Sequence, residues 1–227
     1  MTKKAVILLS GGLDSTTCLA IAKSRGFECY TLSVAYGQKH SVELSAAKRV
    51  ADYFHVKKHE VITLSMGHLG GSALTDANIT IPDFGSHHAE IPSTYVPARN
   101  TIFLSIALGF AEIIEADTIF IGANAVDYSG YPDCRPEYFN AFQTMANYAT
   151  KAGVSGKTIQ IETPILTLTK ADIIKLGSSL GVDYSITLSC YSATDDGLSC
   201  GVCDSCAFRK KGFLEANIKD PTKYRGL

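Results

Sequence analysis

Short apolar runs alternate with longer amphipathic stretches along the first part of the chain. Residues 4–9, Lys-Ala-Val-Ile-Leu-Leu, are too few for a helix and too apolar for a half-exposed strand, so they predict a strand buried on both faces. Residues 13–25 predict a helix that Gly26 stops, glycine being the residue that most readily takes the left-handed conformation past a helix end. A strand over 29–35, a helix over 42–54 and a strand over 60–64 continue the alternation, the βαβαβ rhythm of a parallel sheet covered by helices. The rhythm breaks over 65–98, where Gly67, Gly70, Gly71, Pro82, Gly85, Pro92 and Pro97 predict an irregular insertion of the kind that serves as a functional loop or lid. Phe103, Ile106, Ala107, Phe110 and Ile114 then recur at helical spacing ahead of a strand over 118–121. A helix over 138–151, a strand over 158–162 and a helix over 171–179 complete a main domain over 1–185, with 186–227 as a C-terminal segment packed on it. The expected fold class is α/β: a doubly wound, mainly parallel, Rossmann-like sheet with a small C-terminal zinc-binding segment.

Composition narrows the function classes. With 227 residues, 46% of them hydrophobic and 19% charged, and no low-complexity tract, the chain can bury a substantial core and is not disordered. A formal net charge of -1 gives no support to a protein that coats nucleic acid or an anionic membrane. The apolar stretch near the start is too short for a signal peptide, and no run approaches the roughly 20 apolar residues of a membrane span. A cytoplasmic location is expected. Of seven cysteines, four crowd near the C-terminus, which in a reducing compartment favours metal binding over disulfides; Cys18 and Cys29 read as small buried apolar residues.

Between the first strand and first helix lies Ser10-Gly11-Gly12-Leu13-Asp14-Ser15. Gly11 and Gly12 remove side chains that would keep a phosphate from the backbone, and the first N–H groups of the helix point out as donors where the helix dipole favours an anion. Ser10, Ser15 and Thr16 add hydroxyls, and Asp14 is a candidate ligand for the Mg²⁺ that accompanies ATP. An isolated Ser-Gly-Gly is more often a capped tight turn; its place between a buried strand and a helix favours the phosphate cradle. The loop has neither the Walker pattern nor the three spaced glycines of a dinucleotide fold. A second loop, 123–137, follows the 118–121 strand and is dense in polar and aromatic groups. Both loops fall at carboxyl ends of strands, where open α/β sheets hold ligands, so they are expected to share one cleft.

Cys190, Cys200, Cys203 and Cys206 form C-x9-C-x2-C-x2-C. Two successive C-x2-C steps converge thiolates on one soft ion, and four ligands fill a tetrahedral zinc site with no position left for water. A structural Zn²⁺ is expected, since ferredoxin-type runs space their cysteines differently. Cys134 stands apart, with no adjacent histidine to activate it; packing or substrate contact is expected there.

These segments together resemble the PP-loop ATP pyrophosphatases, and within them the QueC family of queuosine precursor biosynthesis, over nearly the whole chain. The resemblance rests on residues 9–19, Tyr36-Gly37-Gln38-Lys39-His40, Val96-Pro97-Ala98-Arg99-Asn100, residues 127–135 (Asp-Tyr-Ser-Gly-Tyr-Pro-Asp-Cys-Arg) and the four cysteines. It implies that Leu9, Ser10, Gly11, Gly12, Leu13, Asp14, Ser15, Thr16, Thr17, Cys18 and Leu19 bind ATP, and that Arg99 and Lys170 reach its phosphates. It also implies that 7-carboxy-7-deazaguanine, ammonia and ATP give 7-cyano-7-deazaguanine through an adenylated acid and then an adenylated amide. Asp127, Tyr128, Gly130, Tyr131, Asp133 and Arg135 are the candidates for reading the deazaguanine and its carboxylate: Asp accepts from guanine-like N–H groups, Arg pairs with a carboxylate, and a tyrosine ring stacks on the base. Gln38, Lys39 and His40 are left without a role, and His87-His88 reads as surface. A homodimer is expected, with no direct nucleic-acid partner. The alternatives are another PP-loop adenylating enzyme that modifies a tRNA base, and a zinc-stapled nucleotide-binding module without catalysis.

Overall fold

The structure, a computed structural model, describes residues 2–38, 42–85, 91–125 and 130–226. Five parallel strands, β1 (Lys4–Leu8), β2 (Glu28–Ala35), β3 (Lys58–Thr63), β4 (Thr118–Ile121) and β5 (Gln160–Glu162), form one sheet in the order β3-β2-β1-β4-β5. The helices are α1 (Leu13–Ser24), α2 (Val42–Tyr53), α3 (Arg99–Ile114), α4 (Pro136–Ala149), the single turn α5 (Lys151–Val154), α6 (Lys170–Ser179) and α7 (Asp204–Ala216).

The alternation of side chains along β1 builds both layers. Ala5, Ile7 and Leu9 point into a core shared with Cys18 and Leu19 of α1, Val50 of α2, Ile173 of α6 and Phe213 of α7. Val6 and Leu8 point the other way, into a core with Leu104 and Ala107 of α3 and Phe139 and Phe142 of α4. Each fully buried Leu, Ile or Phe stabilises the sheet by about 1.5–3 kcal/mol relative to exposure. This two-sided burial is why the run over 4–9 shows no polar alternation. β1 pairs with β2 on one side (Lys4 opposite Glu28) and β4 on the other (Ala5 opposite Thr118). The chain winds outward through β2 and β3, then crosses to β4, so a crevice opens beyond the carboxyl ends of β1 and β4 where the winding reverses.

Element boundaries differ from the expected ones in instructive places. α3 is not among them: it begins at Arg99, the expected head of the helix after Tyr95-Val96-Pro97-Ala98, where Ala98 turns the chain at φ 53°. The helix expected over 138–151 is broken at Thr150, extended at φ -120° and ψ 151°, whose hydroxyl accepts from Gly153 N and starts α5. The last strand shrinks to Gln160–Glu162. Gly26 does end α1, at φ 79°, with Phe27 N bonded back to Ala22 O at 3.2 Å. The largest departure is α7, unforeseen within the cysteine segment, which lies along α6 and sends Phe213 and Ala216 into the β1 core. The 65–98 insertion has only a 3-10 turn at Gly67–Leu69 among its described residues; it reaches the cysteine segment through the bridge Asp83–Cys203 and a T-shaped contact of Phe84 on Phe208 at 5.7 Å.

Candidate active site and metal centre

A cavity of ≈ 250 Å³ opens at the β1–β4 crevice. Its floor is the glycine loop: Leu9, Ser10, Gly12, Leu13, Asp14 and Ser15 line it, whereas Cys18 and Leu19 lie behind in the core. Gly11 sits at φ 80°, and a Cβ there would lie 2.4 Å from Ala47 N, so the loop rests directly on α2. From the other side Gly122 lets β4 approach: a Cβ on it would lie 2.9 Å from Ser15 N. Ser10 Oγ and Ser15 Oγ meet at 3.0 Å, and Ser15 Oγ also accepts from Ser10 N at 3.2 Å, which fixes the loop's curl. Thr16 and Thr17 donate their hydroxyls to Gly12 O and Leu13 O, within the helix. At the α1 N-terminus Gly12 N donates to Ser10 Oγ and Leu13 N to Ser189 Oγ, and the N–H groups of Asp14 and Ser15 precede the first intrahelical bond, Thr16 N to Gly12 O, which is the property an anion site uses.

Lys170, the first residue of α6, is buried and holds both oxygens of Asp14, at 2.7 Å and 2.9 Å. Its stem passes Gly212 of α7, where a Cβ would stand 2.4 Å from Lys170 Cγ. The lysine, the loop and α7 are therefore one assembly. Lys170 itself does not line the cavity, whereas Arg99 does, half-buried among Tyr36, Tyr131 and Tyr191; burial disfavours its charge, but these phenols outweigh that and hold its pKa above the ordinary value. Glu43, on the first turn of α2, completes this wall. Gln38 Nε2 donates to Glu43 Oε1 at 2.8 Å while Gln38 Oε1 accepts from Tyr36 N at 2.8 Å. Burial pushes the Glu43 carboxyl up to about 7, against the lowering pull of Arg99 and Gln38.

The candidate deazaguanine residues divide. Tyr131 is buried against the cavity, its hydroxyl 2.8 Å from Thr94 Oγ1 and its ring 5.8 Å from Tyr95. Asp133 is buried at the N-terminal head of α3, where Oδ2 accepts from Asn100 N at 3.0 Å and its carbonyl accepts from Asn100 Nδ2 at 2.9 Å. Arg135 is exposed at the N-terminus of α4, and Gly130 lies in the turn before Tyr131. Asp127 and Tyr128 lie outside the described residues, as do Lys39, His40, His87 and His88. Cys134 borders the cavity as a neutral thiol, pushed up to about 11 by burial and by Asp133. Cys18 and Cys29 are fully buried, and burial raises both thiols.

The sulfurs of Cys190, Cys200, Cys203 and Cys206 all lie within 4.8 Å of one another. Cys200 and Cys206 are 3.9 Å apart at sulfur, close to the roughly 3.8 Å edge of a tetrahedron with metal–sulfur bonds of about 2.3 Å. Backbone N–H groups of Ser192 and Cys200 donate to Cys190 Sγ, and that of Cys203 to Cys200 Sγ, bonds that favour thiolates. Hydrogen bonds from Cys190 and Cys206 drive Cys203 down, while those two thiols rise in return. Four sulfurs this close cannot all ionise without a cation between them, so the donor set fits a structural metal. Its first ligand adjoins the phosphate loop: Leu188 N donates to Gly11 O at 2.9 Å, and Leu13 N donates to Ser189 Oγ at 3.1 Å. Arg209, buried on α7, binds Thr187 Oγ1, Tyr184 O and Asp220 and locks this stretch in place.

Glu43, Ser189, Tyr191 and Arg209 did not stand out in the sequence. Glu43 follows the Tyr36–His40 segment closely, a proximity that could have flagged it; the other three carry no motif of their own.

A parallel sheet that reverses its winding at a Ser-Gly-Gly loop defines a PP-loop α/β protein. Solved structures agree at the level of fold: a 4-thiouridine synthetase–RNA complex with bound ATP superimposes with a TM-score of 0.53 at 18% identity over 98% of this chain and 47% of that one. NMN synthetase from Francisella tularensis gives 0.51 at 16% identity over 96% and 79%. The profile described as queuosine biosynthesis protein QueC matches residues 4–217, and the chain belongs to the QueC family. Relatives named 7-cyano-7-deazaguanine synthase share 67% identity in Coxiella burnetii (strain RSA 331 / Henzerling II) and 64% in Saccharophagus degradans, each over 98% of both chains. Another from Legionella pneumophila (strain Corby) shares 59% over 98% of this chain and 97% of its own.

Proposed function

We propose that this protein is a 7-cyano-7-deazaguanine synthase, a carbon–nitrogen ligase that converts 7-carboxy-7-deazaguanine and ammonia to the nitrile at the expense of ATP. The observation that carries the reading is the floor of the cavity: a glycine loop at a helix N-terminus with a buried lysine clamped beside it, in a chain that matches synthases of that name almost end to end. Hydroxide is a poor leaving group, so each carboxylate oxygen is first converted to a phosphate ester. The α1 N-terminus and the Ser10 and Ser15 hydroxyls hold the pyrophosphate portion of ATP. Arg99 supplies positive charge from the cavity wall, and Lys170 supplies it from behind the loop through Asp14, as charge builds on the leaving phosphates. The substrate acid is adenylated and attacked by ammonia, and the amide oxygen is adenylated in turn before AMP leaves.

Mg²⁺ arrives with ATP, and Asp14 is its carboxylate in the cradle. Zn²⁺ is the metal proposed for the four cysteines, where it supplies a cross-link and no chemistry. Residues 1–185 act as the pyrophosphatase domain and 186–227 as its zinc-held segment. Tyr131 stacks at the base, and Asp127, Tyr128, Gly130, Asp133 and Arg135 are the loop from which the base and carboxylate are read. The working assembly is a homodimer in the cytoplasm; no helix among the described residues is long and apolar enough to cross a membrane. The test is an incubation with ATP, ammonium and 7-carboxy-7-deazaguanine, followed by mass spectrometry of the deazapurine and chromatography of the nucleotides. Nitrile with AMP and pyrophosphate is the expected result. ADP and phosphate would rule out adenylation, and a metal-loaded protein that makes no nitrile would sink the assignment. Light scattering decides the dimer.

A further inference from the structure

Ammonia is present at neutral pH almost entirely as ammonium, which has no lone pair with which to attack. The amidation therefore needs a base beside the acyl adenylate, and the floor of the cavity has none to offer: Asp14 is held through both oxygens by Lys170. Lys170 and Arg99 are cations, and the Cys134 thiol is held neutral. Glu43 is the other carboxyl on the cavity wall among the described residues, and it lies beside the loop: its own carbonyl is 2.7 Å from where a Gly11 Cβ would stand.

Its hydrogen bonds orient it. The backbone of Tyr36 takes Gln38 Oε1, so Gln38 must present its amide N–H to Glu43 Oε1. A donor amide on one oxygen steadies the carboxylate without neutralising it. The ionisable groups that line the cavity with it are Arg99 on α3, Tyr36 after β2, Tyr131, Tyr191, Cys134 and Cys190, and Asp14 on α1. A carboxyl placed there both attracts a small cation and accepts its proton.

Resting on the synthase reading above, we propose that Glu43 binds ammonium in the cavity and is the general base that deprotonates it for attack on the acyl adenylate. Glu43 takes one proton from ammonium, and the freed nitrogen lone pair forms the C–N bond to the acyl carbon. The C–O bond to the phosphate breaks, its electron pair leaves on AMP, and the second proton passes to water. Burial holds the Glu43 carboxyl at about 7, a value suited to a base that must release its proton again each turnover.

The experiment compares wild type with Glu43→Gln and Glu43→Asp in two assays. The first is ATP–pyrophosphate exchange dependent on 7-carboxy-7-deazaguanine, without ammonium, which reads adenylation alone. The second is ammonium-dependent formation of amide and nitrile across pH 6–9. Glu43→Gln is expected to keep exchange within a few-fold while product formation near neutral pH falls about 100-fold, a deficit that narrows toward pH 9 as free ammonia replaces ammonium. Glu43→Asp, which keeps a carboxyl, is expected to recover part of the rate. Glu43→Gln that makes product at the wild-type rate with the wild-type pH profile overturns the inference, as does parallel loss of exchange and product in both variants. Absence of nitrile from metal-loaded wild type instead overturns the synthase reading beneath it.

Discussion

Lys170 Nζ lies 2.7 Å and 2.9 Å from the two carboxylate oxygens of Asp14, joining the first turn of α6 to the first turn of α1. The lysine side chain is 8% exposed, so removing it leaves a partly buried carboxylate without its partner. Lys170→Met is expected to lower stability by about 3 kcal/mol in urea unfolding. Asp14→Asn with Lys170→Met should restore most of that loss, because both charges then go together, while adenylation stays abolished. A double variant as unstable as the single one would show that the lysine acts by packing alone.

Gly212 predicts a reversal of an ordinary rule. Alanine normally stabilises a helix interior over glycine by about 0.5–1 kcal/mol. In α7 the added methyl would stand 2.4 Å from Lys170 Cγ. Gly212→Ala is therefore expected to destabilise the fold and to depress exchange by at least tenfold, although Gly212 does not line the cavity. Exchange at the wild-type level would show that Lys170 can shift without cost.

The cysteine centre should report on the nucleotide. Leu188 and Ser189, immediately before Cys190, hold Gly11 O and Leu13 N. Chelation of the metal is expected to weaken ATP binding several-fold in calorimetry before global unfolding, with binding restored on readdition of Zn²⁺. Elemental analysis should find one zinc per chain; iron with visible absorbance would change the metal but leave the coupling.

Glu43 makes stability depend on pH in an unusual direction for a carboxylate. Burial raises its folded pKa from 4.5 to about 7, so the folded state binds more protons than the unfolded state between those values. Stability contributed by this group is present below pH 4.5 and is lost as pH rises through 7. Glu43→Gln should accordingly raise Tm relative to wild type at pH 8 and lose that advantage near pH 4. An advantage constant across this range would place the carboxyl in ordinary solvent.

The sheet and the cradle were legible because both are written locally: a doubly buried strand shows as an apolar run, and a backbone that must approach a phosphate shows as Gly11-Gly12. The cysteine spacing was legible for the same reason. α7 was not, since its buried face includes Arg209 as well as Phe213, and a charge satisfied by Thr187, Tyr184 and Asp220 looks from the sequence like a solvated one. Asp133 illustrates the converse. Its carboxylate meets Asn100 N at the head of α3, a partner distant in sequence that only the fold brings near.

The contacts of the phosphate loop come from opposite ends of the chain: Gly11 with Leu188, Leu13 with Ser189, Asp14 with Lys170. During synthesis the loop emerges first and its fasteners emerge last. A nascent or prematurely terminated chain ending before residue 170 has the full glycine motif and lacks all three of these fasteners, so it should leave ATP unbound. Nucleotide capture thus serves as a completeness check, sensitive to nonsense truncation near the C-terminus even though every motif residue for ATP has been translated.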